Sequence, residues 1–201
     1  SGRALVLPDS YIGAFQSILK DTSLDKAMVC KLLMLPAESY LIQLSETADI
    51  AAIHFVREFV RAEVSSKLGD ELRLVYQENS VQGDLDLSYE GMSQRGLKNA
   101  ALSLLAAGAL SSSTLSSSTL SSKTQPSNAS SAQMSGSMHA KEAADIFFSM
   151  AEKQFANASN MTDSFAALSA LVNSGNKQMA DKVLADFHQR WRDDAQVIEQ
   201  W

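Results

Sequence analysis

Cysteine is almost missing from this chain. Among 201 residues there is one, Cys30, so no internal disulfide can brace the fold. It falls on the apolar side of a helical pattern between Val29 and Leu32, with no base nearby to activate a thiolate, and reads as a small core residue. A lone buried thiol leans towards a reducing compartment, and the expected location is the cytoplasm. Positive charge is also short. Seventeen Lys and Arg stand against 23 Asp and Glu, and a net charge of −6 leaves no surplus to neutralise phosphates, so nucleic acid is excluded as an expected partner. No run approaches the roughly 18 to 20 apolar residues that a spanning helix needs, since even Ala100–Leu110 gives out into serines. No membrane span is expected.

The common catalytic signatures are missing too. There is no His-Glu-x-x-His, no glycine-rich phosphate loop, no Gly-x-Ser-x-Gly elbow and no Cys-x-x-Cys pair. His54 and Glu58 stand four apart on one prospective helix face, a spacing that suits two metal ligands. A catalytic zinc takes three, and no further ligand stands at matching spacing near His139 or His188 in the sequence, so the pair reads as a solvated polar face. Glu142, Asp145 and Glu152 beside an aromatic run read the same way. No catalytic residue, metal ligand or cofactor is assigned to this chain, and its substrate-contacting residues are unknown at this level.

What is present is helical periodicity. Tyr11, Phe15 and Ile18 recur after Asp9 and Ser10, which are placed to cap. Leu24, Met28, Leu32 and Leu35 follow Ser23 and stop at Pro36. Ile53, Val56, Val60 and Val64 line one side of the stretch after Asp49, and Leu68, Leu72, Val75 and Tyr76 continue it, with a break expected near Gly69. The alternation of Asp84 to Tyr89 has no second strand to pair with and is expected to be a loop. From a cap at Ser88, a helix carries Leu97, Ala100, Ala101, Leu104 and Leu105, with Gly108 as its expected close and enough small side chains for a neighbour to approach.

Residues 111–137 are dominated by serine, and their few leucines fit no helical face. They are expected to form a disordered surface insertion within a single helical domain, 1–201. Beyond it, Ala144, Phe147, Phe148, Ala151 and Phe155 predict one helix, Met161, Phe165, Leu168 and Val172 a second, and Ala180, Val183, Phe187 and Trp191 a third. Asp194 is placed to cap a fourth, carrying Val197, Ile198 and Trp201. Asn160 and Asp163 are the expected structural cap of the second, in the manner of a capping box. Three glycosylation-like triplets, beginning at Asn128, Asn157 and Asn160, are what chance supplies in so serine-rich a chain. Short connections force successive helices antiparallel. The expected fold class is therefore all-α, an irregular antiparallel solenoid or superhelix of stacked helix pairs without a fixed sequence period.

The stretch Lys153–Ser169, with Asn160-Met161-Thr162-Asp163 followed by Ala166-Ala167-Leu168-Ser169, resembles the C-terminal helical domain of zinc aminopeptidases of the bacterial aminopeptidase N type. Leu33-Met34-Leu35-Pro36, Val56-Arg57-Glu58 and Arg95-Gly96-Leu97-Lys98-Asn99-Ala100 stand in the order that family shows, so the likeness runs over about Leu5–Gly108 and Ala140–Trp201 and leaves the serine-rich tract unmatched. The resemblance implies a parent enzyme that removes N-terminal residues from peptides, using a zinc held by His-Glu-x-x-His and a distant Glu, with a Gly-x-Met-x-Asn loop at the free amine. Those motifs are not in this chain. It implies a truncated, non-catalytic domain forming a curved wall over the cleft, whose partners are the catalytic domains of the same polypeptide and the parent's peptide substrates. The rival reading is a free-standing helical scaffold for a protein partner, with the serine tract as a modifiable loop.

Overall fold

The computed structural model describes residues 5–81, 83, 85–118 and 131–199, and the side chains among them outside 111–140. Ten helices account for the regular structure among the described residues: α1 Asp9–Lys20, α2 Lys26–Leu32, α3 Glu38–Gln43, α4 Ile50–Lys67, α5 Gly69–Glu78, α6 Tyr89–Ser118, α7 Ser131–Asn157, α8 Met161–Val172, α9 Lys177–Trp191 and α10 Ala195–Ile198. Among the described residues there is no strand, so the chain is all-α as expected. The chain clusters into two compact units, Ser1–Gly108 and Ala109–Trp201. The boundary falls inside α6.

In the first unit α1 packs on α2, α4 and α5, and α4 packs on α3 and α5. Helix α1 starts one residue earlier than the caps expected at Asp9 or Ser10 allow, because Pro8 occupies the capping position and supplies no side-chain bond. Helix α2 starts later: Asp25 accepts from the amides of Ala27 and Met28, while Ser23 is held in a turn by Asp21 Oδ1 at 2.9 Å. Its buried face also differs from the expected one. Val29 and Leu33 are inside, and Met28 and Leu32 are exposed. The expected break after α4 falls at Leu68, which is 1% exposed and buries itself in the corner between α4 and α5. Leu72, Val75 and Tyr76 then face inward as read.

Helix α6 begins where Ser88 Oγ accepts from Gly91 N at 3.2 Å. It does not close at Gly108, the expected stop, but runs on to Ser118. Gly108 serves a different purpose, because a Cβ there would overlap Ser65 Oγ of α4 and come within 3.1 Å of Ser65 Cβ. Glycine is needed for close helix packing, which is the approach that the small side chains of α6 anticipated. Arg61 Nη2 reinforces it by donating to Ser103 O at 2.9 Å. Of the tract 111–137, residues 111–118 continue α6, residues from Ser131 onward belong to α7, and 119–130 lie outside the described residues. Serine is a tolerable helix residue when the turns before it are already formed.

The second unit is built as α7 on α8, α8 on α9 and α9 on α10. Phe147, Ala151 and Phe155 of α7, Leu168 and Leu171 of α8, and Val183 and Phe187 of α9 form its core. Phe187 is the centre of a ring cluster, 5.2 Å from Phe165 and 6.4 Å from Trp191 between centroids. Asn160 Oδ1 accepts from Asp163 N at 2.9 Å, and Asp163 Oδ2 returns to Asn160 through the side-chain amide at 3.1 Å. In a capping box the return bond goes to the backbone amide; here the shorter aspartate meets the side chain. Asp194 caps α10 by accepting from Gln196 N and Val197 N.

Candidate functional site

Among the described residues a groove in the first unit and a groove in the second differ in chemistry. In the first unit α3 is set by Pro36, which ends the preceding stretch and leaves Ala37 extended at the helix start. Glu38 then ties α3 to α4. Its Oε1 meets His54 Nδ1 at 2.9 Å and stands 3.8 Å from Arg57 Nη1, while Arg57 Nε donates to Pro36 O at 2.8 Å. These bonds hold the two helices around a groove of about 470 Å³ lined mostly by apolar side chains, among them Leu41 of α3, Leu44 just past its end, and Ile53, Val56 and Val60 of α4, with Tyr11 of α1 also on the wall. Leu44 is 66% exposed there.

In the second unit, α7 and α9 bound a groove of about 430 Å³ with a charged rim. Lys182 Nζ pairs with Glu152 at 3.2 Å across it, and Arg190 lies over the Phe155 ring, 5.3 Å from its centroid. Both cations are engaged with the groove's own walls, so the rim stabilises the α7–α9 packing.

The structure does not assemble the sequence candidates into a reactive constellation. His54 is engaged with Glu38, and Glu58 with Arg61 at 3.1 Å, so the two meet separate partners. Glu142 and Asp145 are exposed on α7, and His188 is exposed on α9. His139 lies where no side chain is described. Among the described residues no group of three or more His, Cys, Asp or Glu is gathered as a metal would require. The donor set of the described residues does not fit a zinc. Burial pushes the Cys30 thiol above its ordinary value, with Lys31 opposing only in part, and Gly96 closes over the sulfur. That disfavours the thiolate which a nucleophile needs. Among the described residues no helix is long and apolar enough to cross a membrane.

Residues of α3 are what the sequence reading missed. Six residues are too few to show a period, and the usable signal was Pro36-Ala37-Glu38 ahead of Leu41 and Leu44.

Comparison with known proteins gives this geometry a context. The family model described as "Domain of unknown function (DUF3458_C) ARM repeats" matches residues 1–146 and 131–201. Armadillo-type repeats are α-solenoids of stacked helix pairs, in keeping with helices of four to thirty residues that show no sequence period. Aminopeptidase N of Escherichia coli strain K12 is 28% identical over 201 residues, covering 100% of this chain and 19% of its own length. Aminopeptidase N of Caulobacter vibrioides is 28% identical over 204 residues, covering 99% of this chain and 20% of its own. The chain thus spans about a fifth of the length of these curated relatives. Both alignments cross the serine-rich tract, which carries none of the family-like motifs. A crystal structure of Legionella pneumophila aminopeptidase A in complex with aspartic acid superposes with a TM-score of 0.68 at 19% identity, covering 100% of this chain and 20% of that one. That likeness is one of fold.

Proposed function

Because the chain belongs to the DUF3458_C family of ARM-repeat domains, we propose that it is the non-catalytic helical domain of a larger zinc aminopeptidase. In this reading it covers the catalytic cleft and limits which peptides enter, and the reactive groups and the zinc belong to other domains of the same polypeptide. The observation that carries it is the alignment: essentially the whole chain matches one fifth of proteins named aminopeptidase N. The two units and the serine-rich tract between their helices are then parts of one domain. The parent acts on peptides in the cytoplasm. No step of peptide hydrolysis is assigned to these residues, because their donor set does not fit the metal.

The test is turnover of an aminoacyl fluorogenic substrate. Residues 1–201 are expected to give none, and the parent polypeptide to give zinc-dependent release. Zinc-dependent turnover by 1–201 alone overturns the reading. One observation favours a second reading, a free-standing scaffold for a protein partner: the apolar groove of the first unit is open. The reading frame decides between them, since the enzyme reading requires His-Glu-x-x-His within a few hundred residues upstream, and a start codon directly before Leu5 supports the scaffold.

A further inference from the structure

Helix α9 carries a ladder of opposite charges that does not close on itself. Lys182, Asp186 and Arg190 stand four apart, a spacing at which a carboxylate and a cation on one helix ordinarily meet. Both cations are instead drawn across the groove of the second unit to α7. Lys182 Nζ meets Glu152 Oε1 at 3.2 Å, while the Arg190 guanidinium lies 5.3 Å from the centre of the Phe155 ring and its Nη1 donates to Phe155 O at 3.5 Å. Asp186 lines the same groove one turn from each, exposed, and among the described residues nothing pairs with its carboxylate. A guanidinium resting on an aromatic face keeps most of its five donors for a planar acceptor. One wall of the groove thus presents an unneutralised anion and an anchored cation, beside the apolar Ala156 and Val183.

We infer that this groove binds a short peptide with free ends, its ammonium on Asp186 and its carboxylate on Arg190. The spacing selects the ligand. Four residues of helix advance about 6 Å, whereas an extended dipeptide spans up to about 7 Å and a single amino acid about half of that. The groove, about 430 Å³, falls within the size range of small-ligand clefts. A free amine or a free carboxylate alone fits less well, because each would meet its partner with a like charge one helical turn away. The Lys182–Glu152 pair does not block entry, since both side chains are well exposed, at 61% and 40%, and such a pair holds weakly. These residues all lie in the second unit, so binding goes beyond the proposed function and is expected of residues 1–201 alone.

Titration of isotope-labelled 1–201 with the dipeptide leucyl-alanine, followed by amide chemical shifts, tests this. Amides of 152–156 and 182–190 are expected to move together and saturate, with a dissociation constant of about 1 mM. The N-acetylated and the C-amidated dipeptide should each bind about five-fold or more weakly. Asp186→Asn, at an exposed and unpaired position, should leave the fold intact and make the free and N-acetylated forms bind alike, and Arg190→Gln should do the same for the free and amidated forms. 6-Aminohexanoate, which has the charge spacing without a peptide bond, should bind at the same amides but more weakly. Shifts that never saturate, free leucine binding as well as the dipeptide, or blocked ends that cost nothing overturn the inference. Tighter binding of 6-aminohexanoate overturns its assignment to a peptide. None of these outcomes touches the proposed function, which stands or falls on turnover.

Discussion

The two units are made from the same kind of sequence, amphipathic helices joined by short connections, yet they dispose of their large apolar side chains differently. In the first unit Met28, Met34, Tyr40, Leu44, Ile50, Phe55 and Val56 are all exposed, whereas the described aromatic residues of the second turn inward, with Phe147, Phe155 and Phe187 buried. Ile146, at 37%, is the large apolar side chain exposed among the described residues of the second unit. Hydrophobic content alone therefore does not say whether a helix has found its partner. Among the described residues the second unit turns most of its large apolar side chains inward, and the first leaves several of them at the surface.

The sharpest way to break this comparison is to truncate one large side chain in each unit. Phe187→Ala, at a position 0% exposed, is expected to cost about 3–5 kcal/mol in urea denaturation, and Leu44→Ala, at 66% exposed, to stay within about 0.5 kcal/mol. Comparable losses would show that the open face of the first unit is already covered in the isolated chain.

Gly108→Ala comes next. Alanine gains about 1 kcal/mol in helix propensity over glycine, but overlap with Ser65 costs about 1–3 kcal/mol, so net destabilisation is expected. In a Ser65→Gly background the same change should become neutral or stabilising. A penalty unchanged by Ser65→Gly would place the conflict elsewhere.

The caps sharpen the comparison from the opposite side, because here the units should behave alike. Asp25→Ala and Asn160→Ala each remove a side chain that accepts from amides of the first turn, and each should cost about 1 kcal/mol. A much larger loss at Asn160 would mean that the buried Asp163, which is 7% exposed, depends on it for more than the cap.

The smallest effect concerns pH in the first unit. The hydrogen bond from Gln16 Nε2, at 2.7 Å, holds the Glu71 carboxyl below its usual value of 4.5, and Lys20 at 3.5 Å adds to it. A depressed folded-state value contributes stability that is present above the unfolded value and lost as pH falls through the folded one. Glu71→Gln should therefore cost on the order of 0.5 kcal/mol at neutral pH and nothing once the carboxyl is protonated, read as a converging pair of denaturation curves.

Much of this architecture was legible in the sequence because helix periodicity and start signals are local. The break between α4 and α5, the inward set Leu72, Val75 and Tyr76, and the cap at Asp194 all follow from residues within a few turns of each other. The face of α2 was not legible, because Met28-Val29 and Leu32-Leu33 are apolar doublets, and sliding a 3.6-residue period by one position fits equally well. Gly108 misled for a related reason. A glycine late in a helical pattern reads as a stop, and only the position of Ser65 on another helix reveals it as a point of close approach. The grooves were not legible at all, since their walls come from helices whose pairing no short motif encodes.

Leu68 has one more implication. Its N–H completes α4 by donating to Val64 O, and its own carbonyl receives Leu72 N to begin α5. A single residue thus supplies the last rung of one ladder and the first of the next, with its side chain sealed inside. The end of α4 and the start of α5 therefore share one anchored residue, and loosening Leu68 would strip a bond from both helices at once.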